Sequence, residues 1–170
     1  MYFVRTASER DLDKVRKLLV ETWHATYDAL YGVDKVNELN GKWHSVAALK
    51  ARLARKDAEF LVADNGADIG GMAYAAMVTD LPKTAMLHQL YVHPECQRNG
   101  IGRDLFAEIE TCFPDAKVLR LEVEPENEPA IRFYRAHGFI EVGKTANCGD
   151  GQSGIPAIIM EKTLVGQGSA

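Results

Sequence analysis

Along most of the chain, apolar side chains either alternate with polar ones or recur every three to four residues. Residues 2–7 have the pattern of a short strand. Ser8, followed by Asp11 three places later, is typical of the capped start of a helix. The apolar side chains of this predicted helix recur at helical spacing: Leu12, Val15, Leu18, Leu19 and Trp23.

The next segment, residues 27–43, has a less regular pattern. It mixes aromatic and aliphatic side chains with Gly32 and Gly41, so we expect a short helix and a mobile loop there. A second clear helical pattern begins near Ser45 and ends in a basic turn at residues 52–56.

The middle of the chain has the pattern of β-strands. The dipeptide Asn65-Gly66 separates two runs of strand-forming residues, 59–64 and 68–79, and this arrangement predicts a hairpin. A third strand is predicted over residues 85–92, followed by a glycine-containing loop and an amphipathic helix.

The last third of the chain predicts a strand, a short helix and two further strands. Residues 117–124 alternate cleanly between apolar and polar side chains, as in a half-exposed strand. Residues 127–137 predict a helix that Gly138 ends as a C-cap, and strands are predicted over 139–146 and 155–164. Because hairpins are combined with a strand–helix–strand connection, we expect a mixed sheet with helices on its faces.

The composition is that of one globular domain. Of the 170 residues, 46% are hydrophobic and 26% are charged, which is enough apolar material for one core. We therefore expect a single domain over residues 1–165 and a disordered tail over 166–170. Twenty basic residues against 24 acidic ones give a net charge of −4, which argues against a nucleic-acid partner because phosphate contacts need clustered Lys and Arg.

Several features of the sequence bear on disulfides, metal sites and the cellular location of the protein. Cys96, Cys112 and Cys148 are odd in number and widely spaced, so they indicate neither a disulfide framework nor a zinc site. The histidines show no ligand spacing either, and we expect no metal. Charged residues such as Arg5 and Glu9 precede any long apolar run, which argues against a signal peptide. No apolar stretch approaches membrane-spanning length, so we expect a cytoplasmic protein without a membrane partner.

A loop between the third strand and the amphipathic helix carries the first functional signal. Gly100 and Gly102 lie where the strand exit becomes a helix start, so backbone N–H groups can approach a ligand without a Cβ in the way. The helix N-terminus favours an anion, and Arg98 and Arg103 add positive charge. This pattern alone indicates either a phosphate site or a tight connection packed by glycine. It lacks the Lys-Ser/Thr ending of the nucleotide-triphosphate loop and the third Gly of a dinucleotide site.

Two motifs together narrow this choice. Gln97-Arg98-Asn99-Gly100-Ile101-Gly102 resembles the Gln/Arg-x-x-Gly-x-Gly/Ala signature of the GNAT superfamily of N-acetyltransferases, and residues 90–94 resemble the strand before it. Residues 127–139 resemble the second motif of the family, in which an Asn opens a helix, a Phe-Tyr pair follows and Gly-Phe ends it. The resemblance covers nearly the whole chain. It implies a central, mostly antiparallel sheet of six to seven strands with helices on both faces.

The resemblance also implies acetyl-coenzyme A as the co-substrate. Leu90 and Val92 would present backbone groups to its pantetheine arm, although plain core packing is the alternative. Asn127 matches a cofactor-contacting Asn and is also suited to cap a helix. Tyr134 would lie at the cofactor as well. The loop residues that would bind the pyrophosphate are Gln97, Arg98, Asn99, Gly100, Ile101, Gly102 and Arg103.

For the catalytic groups, the resemblance implies an acid and leaves the base open. Tyr134 matches the family's Tyr, whose phenol can protonate a leaving thiolate, while packing beside Phe133 is the alternative role. An alkyl ammonium has a pKa of about 10.4, so a base must remove a proton at neutral pH. We place Glu122 first and His88 second as that base, and Glu124 shares the face of Glu122.

The acyl acceptor is the least readable feature of the sequence. We expect a primary amine of a small molecule, such as a polyamine or an amino acid, and residues 21–27 resemble those of polyamine-type members. A protein N-terminus or a lysine is the alternative acceptor. A non-catalytic sensor that binds acyl-coenzyme A is the alternative of another class, and it would need neither Tyr134 nor a base. A homodimer is left open.

Overall fold

A computed structural model of the protein describes residues 1–148 and 153–164. The predicted tail over residues 166–170 lies outside the described residues. Residues 149–152, between the last two predicted strands, lie outside them as well.

The described residues contain strands and helices in the predicted order. The strands are β1 (Phe3–Thr6), β2 (Ala58–Asp64), β3 (Ile69–Met77), β4 (Thr84–Val92), β5 (Val118–Val123), β6 (Ile140–Thr145) and β7 (Ala157–Thr163). The α-helices are α1 (Leu12–Tyr31), α2 (Val33–Trp43), α3 (Val46–Ala54), α4 (Ile101–Thr111) and α5 (Glu128–Ala136). Short 3-10 turns precede α1 and α4, at Glu9–Asp11 and Pro94–Cys96.

The strands form one mixed sheet in the order β1-β2-β3-β4-β5-β7-β6. β4 and β5 are parallel and are connected through α4, whereas β1–β2, β5–β7 and β6–β7 pair antiparallel. The predicted mostly antiparallel sheet of six to seven strands is therefore confirmed.

The chain divides into two compact units. Unit 1 consists of Met1–Tyr74 and Gln89–Cys112, and unit 2 consists of Ala75–His88 and the described residues from Phe113 onward. Strands β3 and β4 each contribute residues to both units. The single domain over residues 1–165 stays a prediction.

Helices cover both faces of the sheet in unit 1. Met72 and Tyr74 of β3 belong to a buried cluster with Leu19 of α1 and Leu49 of α3. Gly71 directly precedes Met72 on the strand and therefore points to the opposite face, where its nearest side-chain neighbour belongs to α4. The predicted placement of helices on both faces is confirmed.

The expectation of a mobile loop within residues 27–43 is wrong. α1 continues to Tyr31, and α2 follows after Gly32, whose φ of +84° turns the chain. Trp23 of α1 packs edge-on against Trp43 and His44, with ring centroids 5.6 and 5.5 Å apart. This packing outweighs the low helix propensity of Gly41, which lies inside α2.

Unit 2 has the alternation that its sequence predicts. Leu119, Leu121 and Val123 of β5 are buried, while Arg120 and Glu122 on the other face are half-buried.

Among the residues that the structure describes, no helix is both long and apolar enough to cross a membrane.

Candidate active site

The loop before α4 has the backbone geometry that its glycines predict. Gly100 caps the helix with a φ of +76°, in the left-handed region that side chains with a Cβ rarely adopt. Arg98 also has a positive φ, of 71°. The side-chain amide of Asn99 donates to the carbonyl oxygen of Cys96 at 3.1 Å. The loop is thus a folded turn that leads directly into the helix.

The start of α4 fits an anionic group. The first hydrogen bond of the helix runs from the N–H of Asp104 to the oxygen of Gly100, at 3.0 Å. The N–H groups of Ile101, Gly102 and Arg103 precede it and have no acceptor within the helix. A Cβ on Gly100 would lie 3.1 Å from a guanidinium nitrogen of Arg103, so this cation lies directly over the glycine. Backbone donors and a cation therefore meet at one helix end, as a pyrophosphate requires.

Gly71 on β3 contributes to this geometry, and the sequence analysis missed it. A Cβ at Gly71 would lie 2.7 Å from Ile101 Cγ2, 3.0 Å from the oxygen of Tyr91 and 3.1 Å from Leu105 Cδ1. Only glycine therefore lets the first turn of α4 pack this closely on the strands. The signal in the sequence was the pair Gly70-Gly71 inside a strand, which marks a close approach of backbone or side chain.

Leu90 and Val92 lie on the last part of β4, and both are half-buried. The parallel pairs between β4 and β5 run from Thr84–Val118 to Leu87–Leu121, and β4 continues for five residues beyond them, to Val92. The predicted contact of these two residues with the pantetheine arm stays a prediction.

In unit 2, the two candidate bases share one face. Met86 lies opposite Arg120, and His88 and Glu122 are each two residues further along their parallel strands, so both side chains are on that same face. His88 is exposed and Glu122 is half-buried. The two residues directly follow Leu87 and Leu121, the last pair of the β4–β5 ladder.

Glu124, the third carboxylate considered, has a structural role. Its side chain is buried, and its Oε2 accepts the N–H of Glu126 at 2.6 Å. The N–H of Asn127 donates to the backbone oxygen of Glu124 at 3.0 Å. Glu124 therefore stabilises the turn between β5 and α5, which makes it a poorer base candidate than Glu122.

Cys148 lies close to the same carboxylates. Partial burial, together with the negative charges of Glu122 and Glu124, raises the pKa of the Cys148 thiol to about 12. A thiol with this pKa is protonated at neutral pH and is a poor nucleophile. The arrangement therefore offers no support for a covalent cysteine intermediate at this position.

Asn127 and Tyr134 occupy the two ends of α5. The Asn127 side chain caps the helix by accepting the N–H of Ala130 at 3.4 Å, so its predicted capping role is confirmed. Tyr134 is 9% exposed, and its ring centroid lies 5.6 Å from those of Phe133 and Phe139. Tyr134 therefore has a packing role, while the cofactor and acid roles of these residues stay predictions.

In the described ranges, no three His, Cys, Asp or Glu side chains are grouped as a metal site.

Residues 13–139 match the Acetyltransferase (GNAT) family. The chain belongs to the GNAT family. This match covers most of the chain and includes the loop, both candidate bases, Asn127 and Tyr134.

Two curated relatives and one solved structure indicate the range of the family around this GNAT protein. A spermidine N(1)-acetyltransferase of Thermoplasma acidophilum is 26% identical over 142 residues, which are 80% of this chain and 86% of the relative. The N-alpha-acetyltransferase RimI of Mycobacterium tuberculosis is 33% identical over 98 residues, which are 57% and 61% of the two chains. The crystal structure of the PaiA N-acetyltransferase of T. acidophilum in complex with coenzyme A matches with a TM-score of 0.83 and 25% identity. That match covers 96% of this chain and 99% of the other.

These likenesses fix the general activity of this GNAT protein. It is an acyltransferase enzyme, an N-acetyltransferase that acts with acetyl-coenzyme A. The alternative of a non-catalytic sensor is therefore set aside. The relatives act on different amines, so the acceptor is not determined by the family.

Proposed function

We propose that this enzyme transfers the acetyl group of acetyl-coenzyme A to a primary amine of a small molecule, of the polyamine or amino-acid class. The observation that carries this proposal is the extent of the likeness to the spermidine enzyme, which spans 80% of this chain and 86% of that one. The chain has a net charge of −4, which favours the approach of a cationic amine.

A protein α-amine is the second candidate acceptor. The likeness to the N-alpha-acetyltransferase has the higher identity, 33%, but it spans only 57% of this chain. The likeness that supports a protein acceptor therefore covers a smaller part of this chain than the likeness that supports a small amine.

For the cofactor, we propose that the start of α4 binds the pyrophosphate. The N–H groups of Ile101, Gly102 and Arg103 point along the helix axis away from its body, and the positive end of the helix dipole adds to them. The guanidinium of Arg103 lies over Gly100 and adds positive charge, part of which the carboxylate of Asp104 offsets at 3.7 Å from its Nε. Further proposed contacts come from Gln97, Arg98, Asn99, Leu90, Val92, Asn127 and Tyr134.

The reaction needs a deprotonated amine and an acid for the leaving group. Acetyl-coenzyme A supplies the thioester carbonyl that the amine attacks. We propose that Glu122 takes the proton from the ammonium of the acceptor, directly or through a water molecule, with His88 as the alternative base on the same face. We propose that the Tyr134 hydroxyl donates a proton to the departing sulfur, which avoids the release of a free thiolate.

An acceptor panel tests this proposal. Purified protein and acetyl-coenzyme A would be incubated with spermidine, single amino acids, an aminoglycoside and a peptide with a free N-terminus, and thiol release would be recorded. We expect the highest kcat/KM with a small amine. If turnover appears only with the peptide, the small-molecule proposal is wrong and the second candidate replaces it. The cytoplasmic location stays a prediction, and the oligomeric state stays open.

A further inference from the structure

A hydrogen bond joins helix α1 to the residue that follows β4. Oε2 of Glu21 and Nε2 of His93 are 2.6 Å apart. The other ring nitrogen of His93, Nδ1, accepts the backbone N–H of Glu95 at 3.2 Å and so caps the 3-10 turn Pro94–Cys96. His93 is therefore held at both ring nitrogens, and one of its two partners comes from a distant part of the chain.

These two bonds determine the proton position on the imidazole. Because Nδ1 accepts an N–H, it carries no proton, and the proton of the neutral ring is on Nε2. Nε2 therefore donates to the carboxylate of Glu21, and hydrogen bonds to an ionised acceptor are the stronger kind. The backbone of His93 is also fixed, since its N–H donates to the oxygen of Gly70 at 2.9 Å.

The turn that His93 caps leads directly into the anion-binding loop. The N–H of Cys96 donates to the oxygen of His93 at 2.8 Å, and the oxygen of Cys96 accepts the side chain of Asn99 at 3.1 Å. Asn99 is followed by Gly100, the N-cap of α4. A series of hydrogen bonds thus connects Glu21 with Asn99, the residue before the N-cap of α4, entirely within unit 1.

We propose that Glu21 is a positioning residue for the cofactor. It orients His93, and through His93 it holds the turn and the loop in the conformation whose N–H groups bind the pyrophosphate. This inference rests on the proposed function of the loop. Glu21 is not placed in contact with the cofactor, and its side chain is 43% exposed, so its removal leaves no cavity in the core.

The test is the affinity for coenzyme A, measured by isothermal titration calorimetry on the full chain. Glu21→Ala is expected to weaken binding about three- to tenfold, the effect of one lost hydrogen bond. Glu21→Gln keeps an acceptor oxygen for Nε2 and is expected to restore most of the affinity. Glu38→Ala, which removes an exposed carboxylate from α2, is the matched control and should bind like the unaltered protein.

A double-mutant cycle separates positioning through His93 from a general loss of structure. His93→Asn keeps a side-chain oxygen as the cap of the 3-10 turn but removes the ring Nε2–H that donates to Glu21, and the amide of the shorter side chain ends before that position. If Glu21 acts through His93, adding Glu21→Ala to His93→Asn weakens the binding of coenzyme A no further than His93→Asn alone. Additive losses, or full affinity in Glu21→Ala, would overturn the inference. If the unaltered protein itself fails to bind coenzyme A, the proposed function of the loop is what fails.

Discussion

His88 and Glu122 occupy the first positions after the last pair of the β4–β5 ladder, on the same face of the sheet. Both candidate bases thus directly follow the paired part of two parallel strands. The two residues differ in exposure, because His88 is exposed and Glu122 is half-buried. Solvent screens the charge of a half-buried carboxylate less than the charge of an exposed group. This favours Glu122 as the group that attracts and deprotonates the ammonium.

We therefore expect Glu122→Gln to lower kcat/KM about a hundredfold, which is the usual contribution of a general base. His88→Gln is expected to lower it by no more than a few-fold. The measurement is thiol release with the best acceptor of the panel. Glu141→Gln, at an exposed carboxylate on β6 of the same unit, is the control and should be fully active. A large loss in His88→Gln combined with a small one in Glu122→Gln would exchange the two assignments.

Tyr134→Phe tests the acid. The substitution keeps the ring, so the contacts with Phe133 and Phe139 remain and the fold should be little affected. If the hydroxyl protonates the leaving sulfur, kcat should fall at least tenfold while the dissociation constant of coenzyme A changes less than twofold. Steady-state kinetics and calorimetry together measure this split. Unchanged kcat would leave Tyr134 with its packing role alone.

Gly100→Ala tests the loop with a matched control elsewhere in the chain. Gly100 and Gly66 both have a positive φ, of +76° and +95°, so alanine at either position should cost about 1 kcal/mol in free energy of unfolding. Gly66 has open space around it, whereas a Cβ on Gly100 meets the guanidinium of Arg103 at 3.1 Å.

Only Gly100→Ala should therefore weaken the binding of coenzyme A. Urea denaturation measures the two losses of stability, and calorimetry measures the two affinities. Equal affinity in the Gly100 and Gly66 variants would contradict the assignment of the loop as the pyrophosphate site.

The features that could be predicted from sequence are those whose signal is local. The alternation in β5 gave the buried positions Leu119, Leu121 and Val123 because a strand has a period of two residues. The loop could be found because Gly100 and Gly102 stand between a strand pattern and a helix pattern.

What was missed depends on contacts between distant residues. Glu21 and His93 are 72 positions apart, and neither residue shows in its own neighbourhood that they pair. Gly71 matters because of Ile101, 30 positions later in the chain. Likewise, α2 forms despite Gly41 because Trp23 of α1 packs against Trp43 at the end of α2. The helix and strand propensities of single residues contain no information about packing between distant residues.

Because His44 is buried, we expect the protein to become less stable at acid pH. Its side chain is 1% exposed, and Nδ1 lies 2.7 Å from Oδ1 of Asn40. Burial first, and then the positive charges of Arg52 and Arg16, lower the pKa of His44 to about 3 from its ordinary value of 6.5. Between these two values the unfolded chain binds a proton that the folded protein does not bind.

The free energy of unfolding should therefore fall as the pH decreases from about 6 to 4, with a contribution from His44 of roughly 1.4 kcal/mol per pH unit. His44→Gln keeps an amide donor for Asn40 and has no proton to take up, so its stability should decline less steeply by about this amount. Urea denaturation at pH 7, 6, 5 and 4 measures both slopes. The comparison depends on the slopes, so a constant loss of stability in the variant does not affect it. Parallel curves for the two proteins would mean that His44 titrates alike in the folded and unfolded states, and that burial does not keep it neutral.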